Sequence, residues 1–323
     1  DSLALGNEHA KVCRWIPGRI VQYAWKKLNA PPYSLFAGEA DVYHFPNFIR
    51  PPLNKGKSIV TIHDVSFLRF PETMEPKNYK YMSARIEDTV KRSDAIITDS
   101  AFVADEIHEL LGVPREKLHP IWLGIDPEWR RPSEVVIKQV KAKLGLERPY
   151  LLHVGTIEPR KNHRFLVDIF DALENFDGDL VIAGMRGWKN NDIFKRFEKS
   201  PKADRIRILE YVPDEDLASL YAGAEALVFP SLYEGFGFPP IEAMACGTPV
   251  IASAAGSLPE VLGKAAVVLK DFDIQRWVKE IELMLSHDAR REGYIRLGIE
   301  RARTFTWEET ARRTWDVYRK VGE

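Results

Sequence analysis

The sequence predicts an α/β protein of two parallel-sheet units, the second of them doubly wound, and three observations predict it. Its 323 residues exceed what one hydrophobic core usually organises. Short apolar runs rich in branched side chains alternate with helix-like stretches along most of the chain, the pattern of a parallel sheet covered by helices. One charged, proline-marked segment, Asp126-Pro-Glu-Trp-Arg-Arg-Pro132, interrupts that alternation as a linker would. The expected division is residues 1–130, residues 131–303 and a terminal helical segment at 304–323.

In the first unit, strands are expected at 42–45, 59–62, 95–98 and 120–123, with helices at 78–91 and 102–111. Four strands form a short sheet beside the six of the second unit, so the first unit is expected to be incomplete, with a segment preceding Asp1. The second series of strands is expected at 150–154, 180–183, 206–209, 226–229, 249–253 and 265–269, enough for one doubly wound domain. The stretch 307–321 reads as an amphipathic helix capped by Thr306, with Glu308 and Glu309 placed where carboxylates favour the helix dipole.

Near the amino end, Ile20, Val21, Ala24, Trp25 and Leu28 share one helical face, and Arg19, Gln22 and Lys26 the other. Between Lys11 and Lys57 there are eight basic residues against Glu39 and Asp41 alone. Two readings stay open for the Arg19 to Leu28 region: peripheral contact with a membrane interface, or packing on its own sheet with the charges in water.

Lys and Arg total 46 and Asp and Glu 47, so no global field steers the protein to nucleic acid. Cys13 and Cys246 lack disulfide or metal spacing, which fits a reducing compartment. No apolar run reaches the roughly 18 residues of a membrane span. The expected location is therefore cytoplasmic, with peripheral contact at the inner face of the membrane as a further expectation. Zinc-hydrolase, P-loop and full dinucleotide-binding motifs are all missing. Asp177-Gly-Asp179 and Asp271-Phe-Asp273 imitate a metal-binding D-x-D, but two isolated carboxylate pairs make no metal site, and no metal is expected.

The chemistry concentrates in three segments. The first reads strand, glycine loop, helix: Tyr-Glu234-Gly235-Phe236-Gly237-Phe238-Pro-Pro-Ile-Glu242. Gly235 and Gly237 let backbone approach a ligand, and the prolines preset a helical turn whose free N–H groups suit phosphate. Glu234 and Glu242 flank this cradle, where carboxylates can accept hydrogen bonds from sugar hydroxyls on either side of a diphosphate. The second, His153-Val-Gly155-Thr156-Ile-Glu-Pro-Arg160-Lys161-Asn162, leaves a strand with two cations that could neutralise a departing diphosphate and so favour a transition state. The third ends a strand with His63 and Asp64, at the carboxyl edge where open sheets bind ligands.

Glu234 and Glu242 with seven residues between them, in the setting Glu-Gly-Phe-Gly-x-Pro-x-x-Glu-Ala-Met-Ala, resemble the signature of retaining family-four glycosyltransferases, and the mannosyltransferase-like members in particular. The resemblance implies two Rossmann-like domains facing across a cleft, with the terminal helix returning to the first. It implies that Glu234 contacts the donor sugar, Gly235 to Phe238 the diphosphate and Glu242 the ribose, with Arg160 and Lys161 on the phosphates beside Gly155 and Thr156. Relatives carry an arginine where Thr156 stands, so its role is expected to pass to Arg160. His63, with Asp64, would reach the sugar from the first domain. Tyr211, Val212 and Leu217, after a strand, would meet the base, although relatives have Gly where this chain has Glu210.

The implied reaction is transfer of a hexose, mannose from GDP-mannose first, to a saccharide or lipid-linked saccharide, with retained configuration. It proceeds by same-face attack, the leaving phosphate taking the acceptor proton, and it needs neither cofactor nor metal. Two alternatives stand beside it: a nucleotide-sugar binder without catalysis, or a partial chain of an enzyme; and a hydrolase using Glu234 and Glu242 as facing carboxylates about 5 to 5.5 Å apart.

Overall fold

The computed structural model describes residues 18–323, so Cys13, Lys11 and Arg14 lie outside the described residues. The first sheet consists of β1 (Val42–Phe45), β2 (Lys57–Ile62), β3 (Ala95–Thr98) and β4 (Leu118–Pro120). All four are parallel, in the order β1-β2-β3-β4. Successive strand residues face opposite sides, and both sides are covered. Phe45, Val60, Ile62 and Ile96 meet Ile86 and Val90 of helix Pro76–Arg92 and Val103 and Ile107 of helix Ala101–Leu111. Ile59, Ala95 and Ile97 point the other way and meet Val317 of the terminal helix Trp307–Gly322. That helix starts as expected, the Thr306 hydroxyl accepting from the Glu309 amide.

The strand expected at 120–123 is a correction. Pairing covers Leu118–Pro120, and the apolar residues beyond it are buried because the chain crosses there to the second sheet. The Trp122 ring packs on Phe305, centroids 5.3 Å apart, and the Ile125 amide donates to the Phe305 carbonyl at 3.2 Å. The outgoing crossing at 121–125 and the returning one near 305 therefore run side by side.

The second sheet contains β5 (Tyr150–Val154), β6 (Asp179–Ala183), β7 (Ile206–Leu209), β8 (Ala226–Phe229), β9 (Val250–Ser253) and β10 (Val267–Leu269). Its order is β10-β9-β8-β5-β6-β7, parallel throughout. Every residue of β6, β8 and β9 is buried, as expected of strands covered on both faces. One face packs Ile137, Tyr221, Ile241 and Met244, the other Val167, Phe170, Phe197 and Trp277. Chain progress reverses between β5 and β8. The loops leaving these two neighbours diverge and open a crevice at the carboxyl edge.

The D-x-D look-alikes have structural uses: Asp179 begins β6, and Asp273 caps helix Ile274–Ser286 by accepting from the Arg276 amide. In helix Gly18–Leu28, the Trp25 indole donates to the Pro31 carbonyl at 2.8 Å and its ring meets Tyr33 and Phe36 edge-on. Ile20, Tyr23 and Leu28 remain exposed. No described helix is long and apolar enough to cross a membrane.

Candidate functional site

The crevice between β5 and β8 gathers four charges. Lys161 Nζ donates to Glu234 Oε1 at 2.7 Å. Arg160 donates to the Tyr233 carbonyl at 2.7 Å, to Glu234 Oε2 at 3.3 Å and to Glu158 Oε1 at 2.8 Å. The four side chains are largely buried, so the attraction within the group must offset a desolvation cost of several kcal/mol per ion. Burial alone would raise the Glu234 carboxyl, yet Lys161 and Arg160 hold it below its ordinary value. Burial wins at Glu158, which is raised. Arg160 and Lys161 were expected as cations awaiting phosphate; each already has a carboxylate partner. Glu158 is the member of this cluster that sequence reasoning missed, although Glu-Pro-Arg-Lys placed it two residues from Arg160.

Behind Lys161 lie His153 and His163, both fully buried, ring centroids 4.7 Å apart. His153 Nδ1 bonds to the Val228 carbonyl at 3.0 Å. Desolvation pushes His153 down to about 4, and the Lys161 charge adds to the effect. The pair is therefore neutral near pH 7 and serves as packing under the cation.

The glycine loop comes from β8 and carries its conformation in its glycines. Gly237 has φ +99°, in the left-handed region, and starts helix Phe238–Ala245. A Cβ on Gly235 would lie 2.3 Å from the His63 carbonyl oxygen, so the loop touches the first sheet's edge because that residue has no side chain. Ser100 Oγ fixes the approach by donating to the Gly235 carbonyl at 2.8 Å. Phe236 is buried between Phe238 and Phe305. Of the loop, then, the backbone and not the Phe236 ring is available to a ligand.

Glu242 sits one turn into the helix and accepts from Tyr221 Oη at 2.8 Å. Burial pushes its carboxyl up to about 7, against the stabilising Tyr221 hydrogen bond. Glu234 and Glu242 therefore answer to different partners, a cation pair and a phenol, which is unlike a facing nucleophile and acid. Tyr221 was absent from the sequence-derived site.

From the first sheet, His63 follows β2. Its Nδ1 lies 2.8 Å from Asp99 Oδ2 and its Nε2 3.2 Å from the Pro46 carbonyl. The Asp99 hydrogen bond raises its pKa. Asp64 does something else: its Oδ1 accepts from the Ser66 amide at 2.9 Å and hydroxyl at 2.7 Å, capping the next turn, and its Cβ lies over Gly235.

Gly155 follows β5 next to the Lys161 stem, and Thr156 packs by its methyl on Gly187. Beyond β7, Tyr211 is exposed, Val212 buried and Leu217 partly buried. Glu210 pairs with Arg186 at 2.7 Å. Tyr211, Val212 and Leu217 thus follow β7 at the sheet edge, away from the charge cluster.

The two halves are also latched by Glu260. Its carboxylate accepts from the Ala101 and Phe102 amides at 3.0 Å each and from Trp122 Nε1 at 2.7 Å. Three donors from the first half converge on one anion at a helix start. Nothing in the Ser-Leu-Pro-Glu260 segment alone signals this, because the partners are more than a hundred residues away.

Comparison with known proteins agrees with this geometry. Glycosyl transferases group 1 matches residues 136–301, and Glycosyltransferase Family 4 matches residues 10–129. O-antigen chain mannosyltransferase B of Escherichia coli is 35% identical over 283 residues, covering 86% of this chain and 74% of that protein. The serotype-specific mannosyltransferase WbdA of Escherichia coli is 28% identical over 265 residues, 79% of this chain but 32% of the larger protein. Among solved structures, sucrose-phosphate synthase from Thermosynechococcus elongatus aligns with TM-score 0.73 at 24% identity, covering 89% of this chain and 75% of that one. WaaG, a glycosyltransferase involved in lipopolysaccharide biosynthesis, aligns with TM-score 0.73 at 16% identity, covering 94% and 84%. Both structural likenesses concern the fold, two Rossmann-like domains.

Proposed function

Because the chain belongs to the group 1 glycosyl transferases, which use nucleotide sugars, we propose that it transfers mannose from GDP-mannose, with retained configuration, to a saccharide, lipid-linked in its natural form. The observation that carries this reading is the four-charge cluster at the topological switch point, directly beside the glycine loop. In this reading the diphosphate enters between the Gly235 to Phe238 backbone and Lys161 and Arg160. Glu234 holds both cations in place and turns its remaining acceptor capacity to the sugar hydroxyls. Glu242 accepts from the ribose, Tyr211, Val212 and Leu217 border the base, and His63 reaches the sugar from the opposite sheet.

The bond from the anomeric carbon to the phosphate oxygen breaks as the acceptor oxygen bonds to the same face. The acceptor proton passes to the leaving phosphate, so atoms and charge balance without a metal. Cations aimed at the leaving oxygen stabilise the transition state more than the ground state. Mannose as the sugar is favoured by the mannosyltransferase relatives. Peripheral membrane contact through exposed Ile20, Tyr23 and Leu28 fits a lipid-linked acceptor.

The test is GDP release from GDP-mannose, compared with UDP- and ADP-sugars, with a mannosyl acceptor and with a simple aryl mannoside. Acceptor-dependent GDP release supports the reading; aryl mannoside cleavage without nucleotide consumption sinks it in favour of hydrolysis.

A further inference from the structure

A cavity of about 340 Å³ lies between the two sheets, beside the charge cluster's Tyr233 and the latch's Phe102. That volume is at the lower end of the range for small-molecule sites, roughly 300–1,000 Å³. The first half contributes Arg69, Phe70, Phe102 and Glu106; the second contributes Tyr233, Lys270, Phe272 and the Ala254 to Gly256 backbone. Arg69 Nε donates to Glu106 Oε1 at 2.5 Å. Phe70 and Phe102 meet the Tyr233 ring edge-on, at 6.0 and 5.7 Å.

Three features make this a built polar site. Glu106 is 5% exposed and Tyr233 2%, yet Glu106 Oε2 and Tyr233 Oη have no hydrogen-bond partner. The carboxylate and the phenol face one another. Buried polar atoms are rarely left unpartnered. Lys270 is exposed and makes no ion pair among the described residues. Phe272 is 42% exposed beside it. Aromatic faces with an arginine and a lysine around one cavity suit a hydroxylated ring: its C–H face stacks and its hydroxyls meet the Arg69 and Lys270 cations.

Its place selects which ring. Along the sheet order, the base candidates border β7, the charge cluster lies at β5 and β8, and this cavity lies at the ends of β8, β9 and β10. Tyr233 lines it and Glu234 is next in the chain. We infer that this cavity receives the terminal pyranose of the acceptor saccharide, held between Arg69 and Glu106 on one side and Tyr233, Lys270 and Phe272 on the other. This rests on the transferase reading, with the donor running from β7 to the cluster.

The test uses the full chain with methyl α-mannopyranoside and an α-mannobiose as probes, by saturation-transfer NMR, with and without GDP-mannose. Glycoside signal is expected in the presence of saturating GDP-mannose and is expected to fall at least about fivefold in Lys270→Ala, a surface change, and in Phe272→Ala, whose fold is checked by circular dichroism because its ring also meets Phe165 and Trp277. In turnover, the same variants and Tyr233→Phe raise acceptor KM about tenfold, the size of one or two lost hydrogen bonds, with donor KM within about twofold. Glycoside that does not bind, is displaced by GDP-mannose, or binds the variants unchanged overturns the assignment. Loss of glycoside binding in the variants, with no nucleotide sugar ever consumed, would instead keep the cavity as a saccharide site and discard the transferase reading.

Discussion

Glu242 offers the sharpest test of how the donor is held, because its ionisation is visible in binding. Burial sets its carboxyl at about 7 in the empty site, against about 4.3 for an exposed glutamate. Accepting hydrogen bonds from two ribose hydroxyls requires the ionised form. At pH 6 about one eleventh of the protein carries that form, and at pH 8 about ten elevenths, so Kd for GDP-mannose should be about tenfold larger at pH 6, or ~1.4 kcal/mol. Binding at pH 6 should release about one proton, read by calorimetry as a dependence of the heat on buffer ionisation enthalpy.

GDP-mannose is the ligand of choice because its phosphates do not titrate in this range. His63 titrates nearby but with the opposite sign: Asp99 raises its pKa, and its protonation would tighten binding of an anion as pH falls. Glu242→Gln should abolish the pH dependence. Tyr221→Phe, which removes the hydrogen bond favouring the anion, should move the midpoint upward. A Kd that is flat from pH 6 to 8, that tightens on acidification, or that keeps its slope in Glu242→Gln would refute the assignment of ribose contact to this carboxylate. The same shift has a consequence without ligand. The folded state holds the Glu242 proton longer than the unfolded chain, so this group's contribution to stability declines as pH rises from about 4.3 to about 7.

Lys161→Met should lower transfer by about 100-fold or more and leave Glu234 short of a partner. In the native protein the depressed Glu234 stabilises above the ordinary carboxylate range and loses that effect as pH falls through its depressed value, so the variant, with that carboxyl less depressed, should lose less melting temperature over the same acid range. Gly235→Ala forces a Cβ against the His63 carbonyl; circular dichroism should stay native while transfer falls below detection, and near-normal activity would contradict the close approach. Glu260→Ala removes the acceptor of three hydrogen bonds. It should red-shift Trp122 emission and cost about 1.5–3 kcal/mol in urea unfolding, whereas an unchanged spectrum would mean the latch is open in solution. For the amino-terminal helix, flotation with anionic vesicles should be lost in a Tyr23→Glu, Leu28→Glu double variant; retention would remove the membrane reading.

The sheets were legible because their strands are buried on both faces and read as apolar runs with turn signals between them. β5 and β8 begin and end where the sequence places them. Residues 120–123 misled for an instructive reason: Ile121 and Trp122 are apolar because they wedge the crossing between the halves, and burial alone does not distinguish a strand from a packed linker. At the site, the glutamates, glycines and cations were legible from their spacing, but their partners were not. That Glu234 holds Lys161, that Tyr221 holds Glu242 and that Asp64 caps its own turn are facts of three-dimensional proximity. Glu106 and Tyr233 gave no signal, since a buried carboxylate on a helix looks like any surface glutamate in a sequence.

The returning helix Trp307–Gly322 sets a timetable for synthesis. The face of the first sheet formed by Ile59, Ala95, Ile97 and Ile121 is covered by Val317, which leaves the ribosome roughly 200 residues after Ile121, a delay of about 10–40 s at ordinary elongation rates. Throughout that interval the earliest-made part of the protein presents a greasy, unroofed sheet to the cell. Nascent-chain capture by holdase chaperones should therefore peak before the last twenty residues emerge, and polar substitutions at Val317 should lower yield more than they lower the melting temperature of the molecules that do mature.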